Sequence, residues 1–266
     1  MKDLNTDICI KCGSCARECP MNLIQMNDLP EIPETAEAFC CQCGHCRAIC
    51  PEGAIGGFRE SKIEGNEKFT ITPEEMGSHM KLRRSIRHYS DQPVTRETLE
   101  EIFEIVRYAP SAANGQPVEW TVINDPDKVN QISSRTMEWM NEVSKGDSPI
   151  KDIMPLDSMI ESWENGMDPI LRKAPCLVVA HAHSENNMAF TDGIIALTHL
   201  DLALPSFGMG GCWAGILNIA CNQHPPLKDV LGVPERNTVI YPFMVGYPKY
   251  QHQRIPGRNQ PKIRWE

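Results

Sequence analysis

Residues 39–51 read FCCQCGHCRAICP, with five cysteines between Cys40 and Cys50. A four-coordinate site needs four ligands, so one of the five is surplus. An earlier stretch identifies it. Residues 9–20 read CIKCGSCARECP, and adding 31 to Cys9, Cys12, Cys15, Cys19 and Pro20 gives Cys40, Cys43, Cys46, Cys50 and Pro51. The same shift carries Gly13 onto Gly44 and Ile24 onto Ile55, but carries Ile10 onto Cys41. Cys41 is therefore the extra thiol, in a position that is apolar in the first copy.

The doubled C-x2-C-x2-C-x3-C-P spacing suits thiolates wrapped around a compact iron–sulfur cubane. Over residues 1–60 the chain resembles bacterial two-cluster ferredoxins, in which the fourth cysteine of each motif ligates the other cluster. The resemblance implies two 4Fe–4S clusters, one held by Cys9, Cys12, Cys15 and Cys50, the other by Cys40, Cys43, Cys46 and Cys19. Zinc would call for separated C-x2-C pairs, and a disulfide framework belongs to oxidising compartments. Cys41 reads as a small buried side chain beside a cluster.

Nine of the 12 cysteines fall in the first 50 residues, and the others are Cys176, Cys212 and Cys221. With 266 residues, 41% hydrophobic and 23% charged, the chain has the composition of a globular protein of one large or two smaller domains. A net charge of -9 opposes nucleic-acid binding, which needs a basic surface. The absence of a long apolar run argues against a membrane span. The polar start MKDLNTDICIKC lacks a secretory h-region, so the expected compartment is the cytoplasm.

After Phe58 the composition turns polar, and residues 61–72 are expected to link the first domain to a second at 73–266. Thr72, Pro73 and Glu75 carry the signature of a helix N-terminus. Val94 and Leu99 are spaced to staple a second helix capped by Thr95. VEWTVI from Val118, CLVVAHAH from Cys176 and NTVIYPFMVGY from Asn237 read as strands, and DGIIALTHLDLAL from Asp192 as a buried helix. The mixture predicts an α+β or α/β sandwich. Residues 144–172 show no clean period and are expected to form an excursion over a site. His181, His183 and His199, in apolar contexts, read as structural, as do Cys176, Cys212, Cys221 and Trp213.

Three separated pieces carry candidate chemistry. LRRSIRHYS packs Arg83, Arg84, Ser85 and Arg87 into one turn, where guanidinium forks and a hydroxyl suit a phosphate; a solvated basic turn has the same composition. APSAANGQPVEW offers the side-chain amides of Asn114 and Gln116 to a polar ring edge. FGMGGCWAG supplies glycines that permit tight backbone and close ligand approach, without the spacing of a dinucleotide fingerprint.

Together with the closing GYP…RIP stretch, these pieces resemble the nitroreductase family of flavoproteins from about residue 73 to 260. The resemblance implies a homodimer with FMN at the subunit interface. Arg83, Arg84, Ser85 and Arg87 would hold the phosphate and ribityl side, with Arg254 and Arg258 as further phosphate contacts. Pro110, Ser111, Ala112 and Asn114 would approach the flavin from the partner subunit, Met209, Gly210 and Gly211 would line its ring edge, and Gln116 would be a further cofactor contact. No catalytic acid or nucleophile stands out, in keeping with chemistry carried by a cofactor. The expected function is reduction of a small nitroaromatic or quinone-like substrate, with electrons entering through the clusters from a ferredoxin-like carrier or NAD(P)H. Reductive dehalogenation, enone reduction and non-catalytic electron carriage are the alternatives.

Overall fold

The computed structural model describes residues 4–56 and 71–266. Most of the stretch read as a linker lies outside them. The chain divides into two compact units, the first containing residues 4–56 with Ala112–Gly115, the second Ile71–Ser111 with Gln116–Glu266.

The first unit is made of short pieces: α1 (Ser14–Glu18), β1 (Gln25–Met26), β2 (Pro30–Glu31), α2 (Glu34–Glu37) and α3 (His45–Ala48). The 31-residue repeat is written into its backbone. Gly13 and Gly44 precede α1 and α3 with φ of 72° and 76°. Lys11 and Gln42 follow the same rule at 56° and 51°, as do Asn22 and Gly53 at 51° and 61°. Left-handed backbone at matched non-glycine positions costs energy, so the two loops share one imposed shape. Cys15, Ile24 and Ile55 form the small core, flanked by Leu4, Ala16 and Ile32. Cores of this size usually need a metal or covalent staple.

The second unit contains α4 (Pro73–Leu82), α5 (Arg96–Val106), β3 (Glu119–Ile123), α6 (Pro126–Lys145), α7 (Leu156–Glu164), β4 (Cys176–His183), α8 (Ala189–Ala203), β5 (Gly210–Trp213), α9 (Gly215–Gln223), α10 (Pro226–Val230) and β6 (Asn237–Gly246). The strands pair antiparallel in the order β3-β4-β6-β5. β4 is apolar almost throughout because both faces of the sheet are covered. Leu177 and Val179 point into one core, while Cys176, Val178, Ala180 and Ala182 point into the other. β6 changes parity part-way. His181 pairs with Val239 and Ala180 with Tyr241, which leaves Ile240 as an extra residue. Beyond this bulge Met244 joins the face of Val239, and Phe243 and Val245 take the opposite face.

α5 and α8 cover one face; α6, α7, α9 and α10 contribute to the core on the other. α8 approaches closely because Gly193 has no Cβ: one built there would lie 2.5 Å from Ile240 Cδ1. Residues 144–172 are not an open excursion. Ile150, Leu156, Ile170 and Leu171 are buried in the core, and Trp163 packs against it. Among the described residues no helix is long and apolar enough to cross a membrane.

Candidate functional site

In the first unit the repeat gathers its cysteines into two cavities. Cys9, Cys12, Cys15 and Cys50 line one of them, with Gly13, Ser14 and Met26. Cys19, Cys40, Cys43 and Cys46 line the other, which Cys41 also faces. Each cavity thus takes three cysteines from one motif and the fourth from the other. The fourth cysteines are held alike. Leu23 N–H points to Cys19 Sγ at 3.4 Å, and Ala54 N–H, its repeat counterpart, points to Cys50 Sγ at 3.3 Å. Backbone donors aimed at sulfur stabilise thiolate, the form that binds iron. Among the described residues no three His, Cys, Asp or Glu side chains converge on one ion-sized point; the thiols surround spaces instead. This donor set fits iron–sulfur cubanes. Cys41 is half-buried rather than buried, and burial, with Cys43 beside it, raises its thiol pKa. Hydrogen bonds from Ser14 pull the Cys12 thiol below its ordinary pKa.

In the second unit, the Thr72 side chain caps α4, and Glu75 completes the capping box. The helix ends at the basic turn. Ile86 N–H then donates to the Gly211 carbonyl at 2.9 Å, Ser90 N–H to Tyr247 and Lys249 N–H to His88. These bonds lay residues 83–90 beside β5 and beside Gly246–Lys249, so three of the sequence motifs meet in space. Tyr89 locks the turn by donating its hydroxyl to the Ile86 carbonyl at 2.8 Å, and its burial raises the phenol pKa.

Arg83 is committed to an ion pair. Its Nη1 lies 2.9 Å from Oδ2 of Asp201, which is buried in α8 and also accepts from Trp213 Nε1 at 3.4 Å. Burial raises the Asp201 pKa, opposed by the Arg83 charge. Asp201 was missed in the sequence, although a carboxylate in an otherwise apolar helix is a usable signal. Arg84 donates to the Arg83 carbonyl. Arg87 is exposed and, with Ser85 and Arg172, acts on Cys212, whose thiol is pushed up by burial. Arg84, Arg87 and the Ser85 hydroxyl form a donor set suited to a phosphate.

The glycines permit the tight backbone read in the sequence, here against neighbours within the chain. A Cβ on Gly211 would lie 2.0 Å from Phe243 Cε1, and one on Gly210 would lie 2.5 Å from Ile86 Cγ1. Their missing side chains admit this chain's own neighbours, leaving backbone as the only surface that β5 offers there. Met209 is buried. In the APSAANGQP loop, Pro110 is exposed and Ser111 half-buried. Ala113, Asn114 and Gln116 all have positive φ, at 47°, 54° and 45°, a density of strain that marks functional loops. Gln116 N–H donates to Ser111 Oγ. Ala112 and Asn114 group with the first unit, where Asn114 Nδ2 donates to the Gln42 carbonyl at 3.2 Å. Arg254 and Arg258 lie in the exposed irregular stretch after β6.

Most of the residues read as structural are packed or bonded within the chain, but His183 is exposed. His181 is buried between Thr121 Oγ1 at 3.0 Å and Asn237 Nδ2 at 2.8 Å. His199 Nδ1 bonds to the Ile195 carbonyl, while His183 lies at the exposed end of β4. Burial pushes the thiols of Cys176 and Cys221 up to about 12. Trp213 packs edge-on against Tyr241 and Phe243.

The profile of the Nitroreductase family matches residues 80–247. The chain belongs to the nitroreductase family. The profile of the 4Fe-4S dicluster domain matches residues 8–55, the part that forms the paired cavities. This nitroreductase-family chain is 27% identical over 171 residues to a putative NADH dehydrogenase/NAD(P)H nitroreductase of Archaeoglobus fulgidus, covering 63% of this chain and 82% of that protein. It is 24% identical over 205 residues to an iodotyrosine deiodinase of Nematostella vectensis, covering 70% and 72%. Its fold matches that of a nitroreductase with bound FMN from Bacteroides fragilis at a TM-score of 0.57 and 24% identity, over 71% of this chain and 95% of that one.

Proposed function

We propose that this protein is an FMN-dependent oxidoreductase that takes in electrons through two 4Fe–4S clusters and reduces a small organic substrate of the nitroaromatic or quinone-like type. The observation that carries the reading is the crossed arrangement of eight cysteines in two cavities, in a chain whose larger part belongs to the nitroreductase family. Cys9, Cys12, Cys15 and Cys50 hold one cluster; Cys19, Cys40, Cys43 and Cys46 hold the other. FMN, as in the Bacteroides fragilis relative, supplies electron-pair transfer when bound, and the clusters supply single electrons.

The chain's own residues do the positioning. Arg84, Arg87 and Ser85 bind the FMN phosphate, joined by Arg254 and Arg258. Arg83, tethered by Asp201, fixes the turn that presents them and faces the ribityl side. Met209, Gly210 and Gly211 bring backbone to the ring edge. Pro110, Ser111, Ala112, Asn114 and Gln116 complete the site of the other copy in a homodimer. The protein works in the cytoplasm with a reduced ferredoxin-like carrier as donor; NAD(P)H, named for the Archaeoglobus relative, is the alternative.

Reductive dehalogenation is the second reading, supported by the deiodinase relatives. One experiment separates the readings. Under anaerobic conditions the purified protein receives chemically reduced ferredoxin and a panel of nitro, halo and enone compounds. Turnover of the nitro compounds without pyridine nucleotide supports the main reading, and halide release supports the second. No turnover of any compound contradicts both and leaves an electron carrier.

A further inference from the structure

The two cavities are built from one repeat, yet their surroundings differ. In the first, the guanidinium of Arg17 folds back over the loop. Its Nη2 donates to the Cys12 carbonyl at 3.1 Å and to Ser14 Oγ at 3.3 Å. Gly13 leaves room for it, since a Cβ there would stand 3.1 Å from Arg17 Nη1. Ser14 Oγ in turn lies 3.4 Å from Cys12 Sγ.

The direction of that last contact follows from the donor inventory. A guanidinium has no acceptor, so Ser14 Oγ must accept from Arg17. Its own proton is then left to point elsewhere. A cysteine bound to iron is a thiolate and can only accept, so the bond runs from the Ser14 hydroxyl to Cys12 sulfur. The second motif has no hydroxyl or guanidinium at the matching positions. Ser14 shifts onto His45 and Arg17 onto Ala48. The second cavity is lined instead by Cys41 and Arg47, whose counterparts in the first motif are Ile10 and Ala16.

We propose that Ser14, oriented by Arg17, sets the reduction potential of the cluster held by Cys9, Cys12, Cys15 and Cys50, and of that cluster alone. Taking up one electron makes the cluster and its thiolates more negative. A hydroxyl proton aimed at Cys12 sulfur stabilises that added charge, so it raises the potential. The donor thereby separates two centres that an exact repeat would make alike. Ser14 is a positioning and tuning residue, since it acts through Cys12. The inference rests on the crossed-ligand reading above.

The test is anaerobic potentiometry with EPR detection on the full-length holoprotein, wild type beside Ser14→Ala, Ser14→Thr and Arg17→Gln. Ser14→Ala should shift one of two resolved reduction equilibria toward the oxidised state, by roughly two- to tenfold for the loss of one hydrogen bond. The other equilibrium should not move. Ser14→Thr keeps a hydroxyl and should stay with the wild type. Arg17→Gln frees the hydroxyl to turn and should fall between.

Equal shifts in both equilibria, no shift in either, or a Ser14→Thr change as large as that of Ser14→Ala overturns the proposal. So does loss of iron from Ser14→Ala, which would make the residue structural. A wild-type protein without two 4Fe–4S centres removes the crossed-ligand reading itself, and the proposal with it.

Discussion

At Gly211 a single missing side chain decides the packing of β5. A Cβ there would meet Phe243 Cε1 at 2.0 Å and the Met244 carbonyl oxygen at 2.6 Å. Gly211→Ala should therefore destabilise the protein by about 1–3 kcal/mol, seen as a lower midpoint in thermal unfolding; an unchanged midpoint would contradict the packing account. The sequence showed a glycine-rich stretch but not what fills the space beside it, because Phe243 is brought there only by the pairing of β5 with β6. His181 gives a second residue-level prediction. Burial lowers its pKa from 6.5. The unfolded chain then takes up a proton first as the pH falls below 6.5, so this group's contribution to stability is complete above that value and declines below it. Among charged neighbours, Glu119 opposes the shift and Lys228 reinforces it. Urea midpoints should drop between about pH 7.5 and about pH 5.5, and His181→Gln should flatten that part of the dependence. Equal slopes in the two proteins would remove His181 as its source. The histidine's burial was legible from its apolar strand, whereas its partners Thr121 and Asn237, 60 and 56 residues away in the chain, were not.

Elements were legible where caps or continuous apolar runs announced them. Thr72, Pro73 and Glu75 mark the start of α4, and Val94, Thr95 and Leu99 that of α5. α6 went unread even though Asp125 caps it and Pro126 opens it. Its buried face is diluted by Ser133 and Thr136, polar residues made tolerable by bonds to Asp168 at 2.6 Å and the Ile132 carbonyl at 2.9 Å. β5 was equally hidden, since a four-residue strand beginning with two glycines has little β propensity of its own. α4 buries no residue. It is held by its cap and by the bonds of His79 and Arg83 to α8. Thr72→Ala should cost about 1 kcal/mol and appear mainly as faster amide exchange in residues 73–82. Slowed or unchanged exchange there would show that the cap does not hold the helix.

The 31-residue repeat, visible in the cysteine spacing alone, reappears in matched backbone angles and in the crossed lining of two cavities. The surplus thiol of Cys41 was legible as an asymmetry of the repeat, but the contributions of Ser14 and Arg17 were not, because they acquire meaning only from what they touch. The crossing makes a test at the scale of the whole molecule. Cys50→Ser changes the second motif but should damage the cluster of the first, and Cys19→Ser should do the reverse; EPR signals assigned by cavity would reveal an uncrossed arrangement. The central claim is that one chain joins cluster-borne electron entry to flavin chemistry. Its most direct measurement is the flavin absorbance of the holoprotein during anaerobic reduction by a reduced ferredoxin, without NAD(P)H. Complete bleaching of the flavin in the wild type, strongly slowed in Cys50→Ser, is the predicted result. Clusters that become reduced while the flavin stays oxidised would contradict it.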